Sequence, residues 1–143
     1  MISATRDSLW FAWFLVLAQT VGAHDFSDGE WEVRTSYARV QNGVRGPLVA
    51  GRCTLFVERV YPASGDFVGE MRVDGQTRGA VRGRVIQTTR PAGQKLVVFE
   101  RVDYASEYIA ECLGLLLDKN TVTEGHFIDS SGHSGGFTMT RKR

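Results

Sequence analysis

The sequence has no excess of charge of either sign. Its 143 residues contain 17 lysines and arginines against 16 aspartates and glutamates, a formal net charge of +1. A dedicated nucleic-acid-binding domain carries a strongly basic face, because phosphate contacts dominate its affinity. Nucleic acid is therefore not an expected partner. Hydrophobic residues make up 43% of the chain and charged residues 23%, which is ordinary for a globular protein and excludes a disordered one.

Motifs for common cofactors and metals are also lacking. The chain has no H-E-x-x-H sequence, no C-x-x-C pair, no phosphate-binding loop and no EF-hand spacing, so no cofactor is expected. Residues 132–136 match G-x-S-x-G in letters, but that nucleophile elbow joins a strand to a helix and precedes its acid and histidine in the chain. The seven residues after Gly136 include no Asp, Glu or His. We therefore expect a protein that is not an enzyme.

A long apolar run occurs near the N-terminus. Residues 9–18 form an almost unbroken apolar segment, preceded by Arg6 and followed by the small-residue site Val21-Gly22-Ala23. This run is about half of the ~20 apolar residues needed to span a bilayer. The sequence therefore predicts a signal peptide over residues 1–23 and a single mature domain over residues 24–143. The product is expected in an extracytoplasmic compartment, periplasmic or extracellular, without membrane association after cleavage.

Eight short runs of the mature chain alternate apolar and polar residues, a period of two that is typical of half-buried strands. Turn dipeptides such as Asn42-Gly43 and Asp74-Gly75 separate them. The run over 106–118 also has helical spacing, but its alternation favours a strand. Short connections favour a meander, and closure removes both sheet edges. The prediction is an all-β, eight-stranded, antiparallel up-and-down barrel, with strands over residues 30–41, 49–60, 67–73, 79–88, 95–102, 106–118, 121–129 and 135–141.

Alternation also predicts which side chains face the barrel interior. An eight-stranded barrel is just wide enough to hold one small ligand or to be filled by its own side chains. The leading hypothesis is a secreted, non-enzymatic protein that carries a small apolar or amphipathic ligand. The alternative is an interaction module, an inhibitor or assembly factor, with a filled barrel and an unknown protein partner. A cavity of ~300 Å³ or more favours the carrier. The predicted ligand-binding residues are Trp31, Tyr37, Leu55, Phe67, Met71 and Val85.

Copper binding is a third hypothesis. After cleavage, His24 is the first residue and offers both its amine and its imidazole to a metal. A second imidazole would come from His126 or His133, and imidazole-rich sites suit copper. The simpler interpretation is a frayed terminus with two surface histidines.

Several residues resemble the motifs of calycins, the superfamily of lipocalins, avidins and fatty-acid-binding proteins. Gly29-Glu30-Trp31 is similar to the G-x-W that opens their first strand, and Asp103-Tyr104 is similar to the lipocalin D-Y pair. The resemblance implies that Trp31 closes one end of the barrel and that Arg141, near the last strand, packs over it. The D-Y pair lies one hairpin earlier than in lipocalins, and the long lipocalin helix is missing. Trp31 is the only mature tryptophan, so biotin binding is not implied.

The pairing state of Cys53 and Cys112 provides a test of the predicted barrel. An oxidising compartment permits them to pair, whereas two buried free thiols would pack as small apolar side chains. They lie on the second and sixth predicted strands, which are opposite in a ring of eight. A disulfide needs Cα atoms within ~4.4–6.8 Å of each other. A bond would therefore imply a flattened barrel, a different strand count or a helix over 106–118, and the sequence leaves both states open.

Secretion generates the first testable prediction. Expressed with its own leader, the protein should leave the cytoplasm, and N-terminal sequencing of the exported form should begin at His24. An exported protein that keeps Met1, or a product retained in a membrane fraction, would contradict the predicted cleavage.

Overall fold

The computed structural model describes residues 18–20 and 26–143. Within these residues all regular structure is β, and no helix could serve as a membrane span. The predicted signal peptide lies outside the described residues except for 18–20. The described residues form nine strands: β1 Ala18–Thr20, β2 Gly29–Gln41, β3 Val44–Val60, β4 Asp66–Val73, β5 Gln76–Thr89, β6 Ala92–Asp103, β7 Ile109–Asp118, β8 Thr121–Asp129 and β9 Ser134–Arg141.

Strands β2 to β9 form a closed ring. Each pairs antiparallel with the next strand in the chain, and β9 returns to pair with β2. The short strand β1 lies beside the end of β5. The predicted all-β, eight-stranded antiparallel meander barrel is therefore confirmed. Because hairpins of a meander alternate between ends, the turns near residues 42, 74, 105 and 131 share one end, and those near 63, 91 and 119 share the other.

The predicted strand boundaries agree with the structure to within one residue, except at the starts of β3, β5, β6 and β7. Strands β5 and β6 each begin three residues earlier than predicted, at Gln76 and Ala92. Strand β3 begins at Val44 rather than at Val49, because Asn42 (φ 52°) and Gly43 (φ 75°) form a tight turn that lets pairing resume at once. Residues 106–118 contain a strand from Ile109 that pairs with both β6 and β8. The helical alternative for this segment is thus excluded.

One end of the barrel is filled by large apolar side chains. Trp31 is fully buried, and its ring stacks on Phe26 with centroids 5.0 Å apart and planes 19° apart. Phe26 also packs on Phe67 at 4.8 Å. The indole Nε1 of Trp31 donates a hydrogen bond of 3.0 Å to the carbonyl of Ser27. We call this the closed end.

Arg141 borders the closed end. It is the cross-strand neighbour of Trp31, and its Nε donates a hydrogen bond of 3.0 Å to the carbonyl of Asp28. Gly29 lies against the guanidinium with a φ of 103°, a conformation that side-chain-bearing residues rarely adopt. Glycine at this position therefore allows the chain to turn into β2 beside Arg141.

Gly83 provides space for the aromatic packing of the closed end. A Cβ atom at this position would lie 2.4 Å from the carbonyl oxygen of Val98, 2.5 Å from Cζ of Phe67 and 2.6 Å from Cβ of Phe99. Both phenyl rings are buried and cannot move into solvent. The backbone of Gly83 does not have the positive φ that favours glycine, so the requirement for glycine comes from packing alone.

Gly83→Ala should therefore lower the free energy of unfolding by ~1–3 kcal/mol through overpacking. Urea unfolding followed by Trp31 fluorescence measures the change. Gln76→Ala, at the exposed start of the same strand, is the control and should stay within ~0.5 kcal/mol of the parent protein. Equal stability of both variants would contradict the packing described here.

Candidate functional site

The other end of the barrel contains a cavity of about 350 Å³. Phe99 and Phe137 form its floor, since both line the cavity while Phe99 also packs on Phe67 towards the closed end. We call this half the open end. Its lining comes from seven of the ring strands and the last turn: Val33, Thr35, Tyr37, Gly51, Arg52, Cys53, Met71, Val73, Phe99, Arg101, Tyr108, Ala110, Cys112, Phe127, Asp129, Ser131, His133 and Phe137.

The six residues predicted to bind ligand are divided between the two halves. Tyr37 and Met71 line the cavity. Trp31, Leu55, Phe67 and Val85 are buried in the barrel core and do not line it. The ligand-binding role of all six stays a prediction, and the geometry brings only Tyr37 and Met71 to the cavity.

A half-buried ion pair lies at the cavity wall. Arg101 Nε lies 2.6 Å from Asp103 Oδ1, and a second hydrogen bond of 3.0 Å joins Arg101 Nη2 to Asp103 Oδ2. The guanidinium also lies 5.1 Å from the centre of the Tyr108 ring. Burial alone would lower the pKa of Arg101, but the hydrogen bond and charge of Asp103 raise it above its usual value. Arg101 is therefore a permanent cation held in a bidentate pair.

Asp129 is the centre of a second polar group. Its side chain is 2% exposed, and its Oδ2 accepts a hydrogen bond of 3.0 Å from the Tyr108 hydroxyl. The same oxygen lies 3.3 Å from Nδ1 of His133. Oδ1 accepts hydrogen bonds from the backbone N–H groups of Ser131 and His133, at 3.0 and 2.8 Å. Asp129 thus joins the segment just before β7, the end of β8 and the following turn at the cavity mouth.

Aromatic side chains surround this polar group. Burial, with the neighbouring Asp129 charge, raises the pKa of Tyr108, so its hydroxyl stays protonated and donates. The Tyr37 ring lies 5.4 Å from the His133 ring and 6.4 Å from the Phe127 ring. The mouth is therefore amphipathic, with aromatic faces beside hydrogen-bonding groups.

Both cysteines line the cavity as free thiols. Cys53 lies on β3 and Cys112 on β7, which are opposite strands of the ring. The structure thus selects the unbonded state that the sequence left open. Burial raises the pKa of both thiols, so neither is a ready thiolate nucleophile. They contribute small, soft apolar surface to opposite walls.

The histidines do not form a metal cluster in the described part of the chain. His24 lies outside the described residues. His126 is exposed on β8, and His133 is bound to Asp129 at the mouth. Among residues 18–20 and 26–143, no three His, Cys, Asp or Glu side chains are grouped so that they could hold a metal ion.

Sequence reasoning missed the polar residues of the cavity. Arg101 and Asp129 were not predicted as site residues, Asp103 entered only through the calycin resemblance, and His133 only as a candidate copper ligand. A usable signal was present on β6, where Phe99, Arg101 and Asp103 share the inward face by alternation. Charged residues at inward positions of a barrel strand indicate a polar site.

Comparisons with models of protein families, with curated proteins and with solved structures find no match to this chain.

The Asp129 network generates a stability prediction. Asp129→Ala leaves the Tyr108 hydroxyl and two backbone donors without their acceptor, so the free energy of unfolding should fall by ~1–3 kcal/mol. Tyr108→Phe removes one donor from a carboxylate that keeps its other partners, and should cost about 1 kcal/mol. Urea unfolding compares the two variants. A smaller effect for Asp129→Ala than for Tyr108→Phe would contradict the proposed centre of the network.

Proposed function

We propose that this chain is a secreted, non-enzymatic binding protein that carries a small amphipathic molecule in the cavity of the open end. The observation that carries the proposal is the cavity of about 350 Å³, open at one end, with an apolar floor and a polar mouth. Ligand cavities span ~300–1,000 Å³. The volume lies near the lower limit, so the proposed ligand is compact rather than a long-chain lipid.

The cavity lining provides separate surfaces for the apolar and the polar part of such a ligand. Apolar surface comes from the floor and from Val33, Met71 and Ala110. The polar part of the ligand would reach Arg101 and Tyr108 near the mouth. Arg101 uses Nε and Nη2 for Asp103, and a guanidinium carries five N–H donors, so donors remain for a ligand oxygen.

Charge balance favours a ligand without net charge. Arg101 is neutralised by Asp103, and Arg52, whose side chain is largely exposed at the rim, lies 3.7 Å from the carboxylate of Glu32. A carboxylate ligand at the free donors of Arg101 would lie close to the Asp103 carboxylate, which already neutralises that cation, so like charges would repel. A neutral hydrogen-bonding group such as a hydroxyl, carbonyl or amide fits without displacing any pair.

The same site supports binding over catalysis. His133 and Asp129 resemble two members of a catalytic triad, but within the described residues no hydroxyl or thiol hydrogen bonds to Nε2 of His133. The two thiols have raised pKa values. A nucleophile that is neither deprotonated nor hydrogen-bonded to a base lacks activation.

A calycin-like relationship is part of the proposal. Its support is the closed end, where Gly29, Trp31 and Arg141 meet as the G-x-W resemblance implies, together with the closed eight-strand meander. A fully filled interior, which the interaction-module alternative requires, does not fit the open half.

A larger side chain in the cavity should weaken ligand binding. Ala110 is 4% exposed and lines the cavity, so Ala110→Leu places extra side-chain volume where the ligand would lie. The neutral dye N-phenyl-1-naphthylamine is a suitable probe, measured by its fluorescence increase. We expect Ala110→Leu to weaken dye binding at least about tenfold, equivalent to ~1.4 kcal/mol.

Ala80→Leu is the matched control, because Ala80 is exposed on the barrel exterior and should leave dye binding unchanged. Urea unfolding of both variants verifies that the barrel persists. Equal dye binding by the two variants, or no binding by the parent protein, would contradict the carrier. Native mass spectrometry of protein purified from its own host then identifies the natural ligand.

A further inference from the structure

The hairpin between β2 and β3 projects beyond the ring. Pairing of β2 with β9 ends at Ala38, and pairing of β3 with β4 begins only at Thr54. The two strands nevertheless continue to pair with each other as far as Gln41 and Val44. Residues 39–49 therefore form a two-stranded ribbon at the open end, which we call the projecting hairpin.

The projecting hairpin carries apolar side chains on both faces. Leu48 and Val49 are adjacent in β3, so they point to opposite faces of the ribbon, yet they are 65% and 40% exposed. Val40 and Val44 are 57% and 69% exposed. Four of the exposed large hydrophobic residues of the described chain thus lie within this short segment.

The charged residues of the projecting hairpin are all positive. No acidic residue occurs between Glu32 and Glu58, whereas Arg34, Arg39, Arg45 and Arg52 lie in that interval. Glu32 pairs with Arg34 and Arg52 near the base, at 2.5 and 3.7 Å. Arg39 and Arg45, on the projecting hairpin itself, make no ion pair with any described residue. The complementary occupant is therefore anionic as well as apolar.

A second copy of the chain does not meet these requirements. Edge pairing between two hairpins would bring Arg39 and Arg45 of each copy together. Pro47 has no N–H to donate, and the bulge between Ala38 and Val40 distorts the edge. A ribbon with apolar groups on both faces is covered fully only by a medium that surrounds it. Anionic lipid at a bilayer surface provides apolar surroundings and the required negative charge.

We propose that the projecting hairpin docks this protein on an anionic phospholipid surface, with its apolar side chains inserted and Arg39 and Arg45 at the headgroups. This is peripheral attachment without a spanning segment, and it revises the expectation that the mature protein has no membrane contact. Tyr37, Gly51 and Arg52 at the hairpin base line the cavity, so docking turns the mouth towards the bilayer. Transfer of ligand between bilayer and cavity, unlike docking itself, rests on the proposed carrier function.

Vesicle flotation of the purified secreted protein tests docking. Vesicles of phosphatidylcholine alone should leave the protein in solution, and vesicles containing about one third phosphatidylserine should carry it upward. Raising the salt concentration from about 0.01 M to about 0.5 M should reduce the bound fraction about tenfold or more, because it screens the arginine contribution.

Matched variants separate the apolar contribution to vesicle binding from the electrostatic contribution. Leu48→Ser and the double variant Arg39→Gln/Arg45→Gln should each reduce binding to the anionic vesicles about tenfold. Leu117→Ser is the apolar control, since Leu117 is also 65% exposed but lies near the closed end. Arg90→Gln/Lys119→Gln removes two exposed cations near that same end. Both control variants should bind as the parent protein does.

Three results would overturn docking: no flotation with anionic vesicles, equal losses in hairpin and control variants, or a dimer by light scattering that Leu48→Ser converts to monomer. The carrier is judged separately, because the assay detects protein and needs no ligand. Normal flotation of Ala110→Leu with loss of dye binding supports both proposals. Flotation of a parent protein that binds no dye would overturn the carrier and leave docking intact.

Discussion

Closure of the sheet through β2 and β9 is the constraint on which the rest of the structure depends. These strands pair from Trp31 opposite Arg141 to Ala38 opposite Ser134, which joins the last strand to the first strand of the ring. Eight strands closed in this way enclose an interior only wide enough for side chains or one small ligand. The size of the inward side chains at each level therefore decides whether that level is filled or open.

The two halves of the barrel differ because large and small inward residues are segregated along its axis. At the closed end, Trp31, Phe26 and Phe67 occupy the interior, and Gly83 lets the rings approach the wall. At the open end, small side chains such as Ala110 and Cys112 leave space that the buried polar groups border without filling. Paired charges are tolerated there because each has a hydrogen-bonded partner.

Local patterns could predict the strands but not the site. Alternation and the turn dipeptide Asn42-Gly43 act within one hairpin, and the inward face of each strand follows from them. The depth of a residue along the barrel depends instead on register, which bulges such as those near Arg59 and Gly114 displace. Tyr108 and Asp129 lie 21 residues apart at the base of the β7–β8 hairpin, and whether their side chains meet depends on the register between these strands, which shifts twice along the pair.

The strands β2 and β3 couple the closed end, the cavity and the projecting hairpin. Along β2, Trp31 packs in the closed end, Val33 lines the cavity and Val40 is exposed beyond the ring. A slip of one residue between these strands would turn every one of these side chains to the other face. It would also move Cys53 off the wall opposite Cys112. The lining of the cavity and the position of the hairpin therefore depend on the register between β2 and β3, in which Trp31 lies opposite Leu55 and Val33 opposite Cys53.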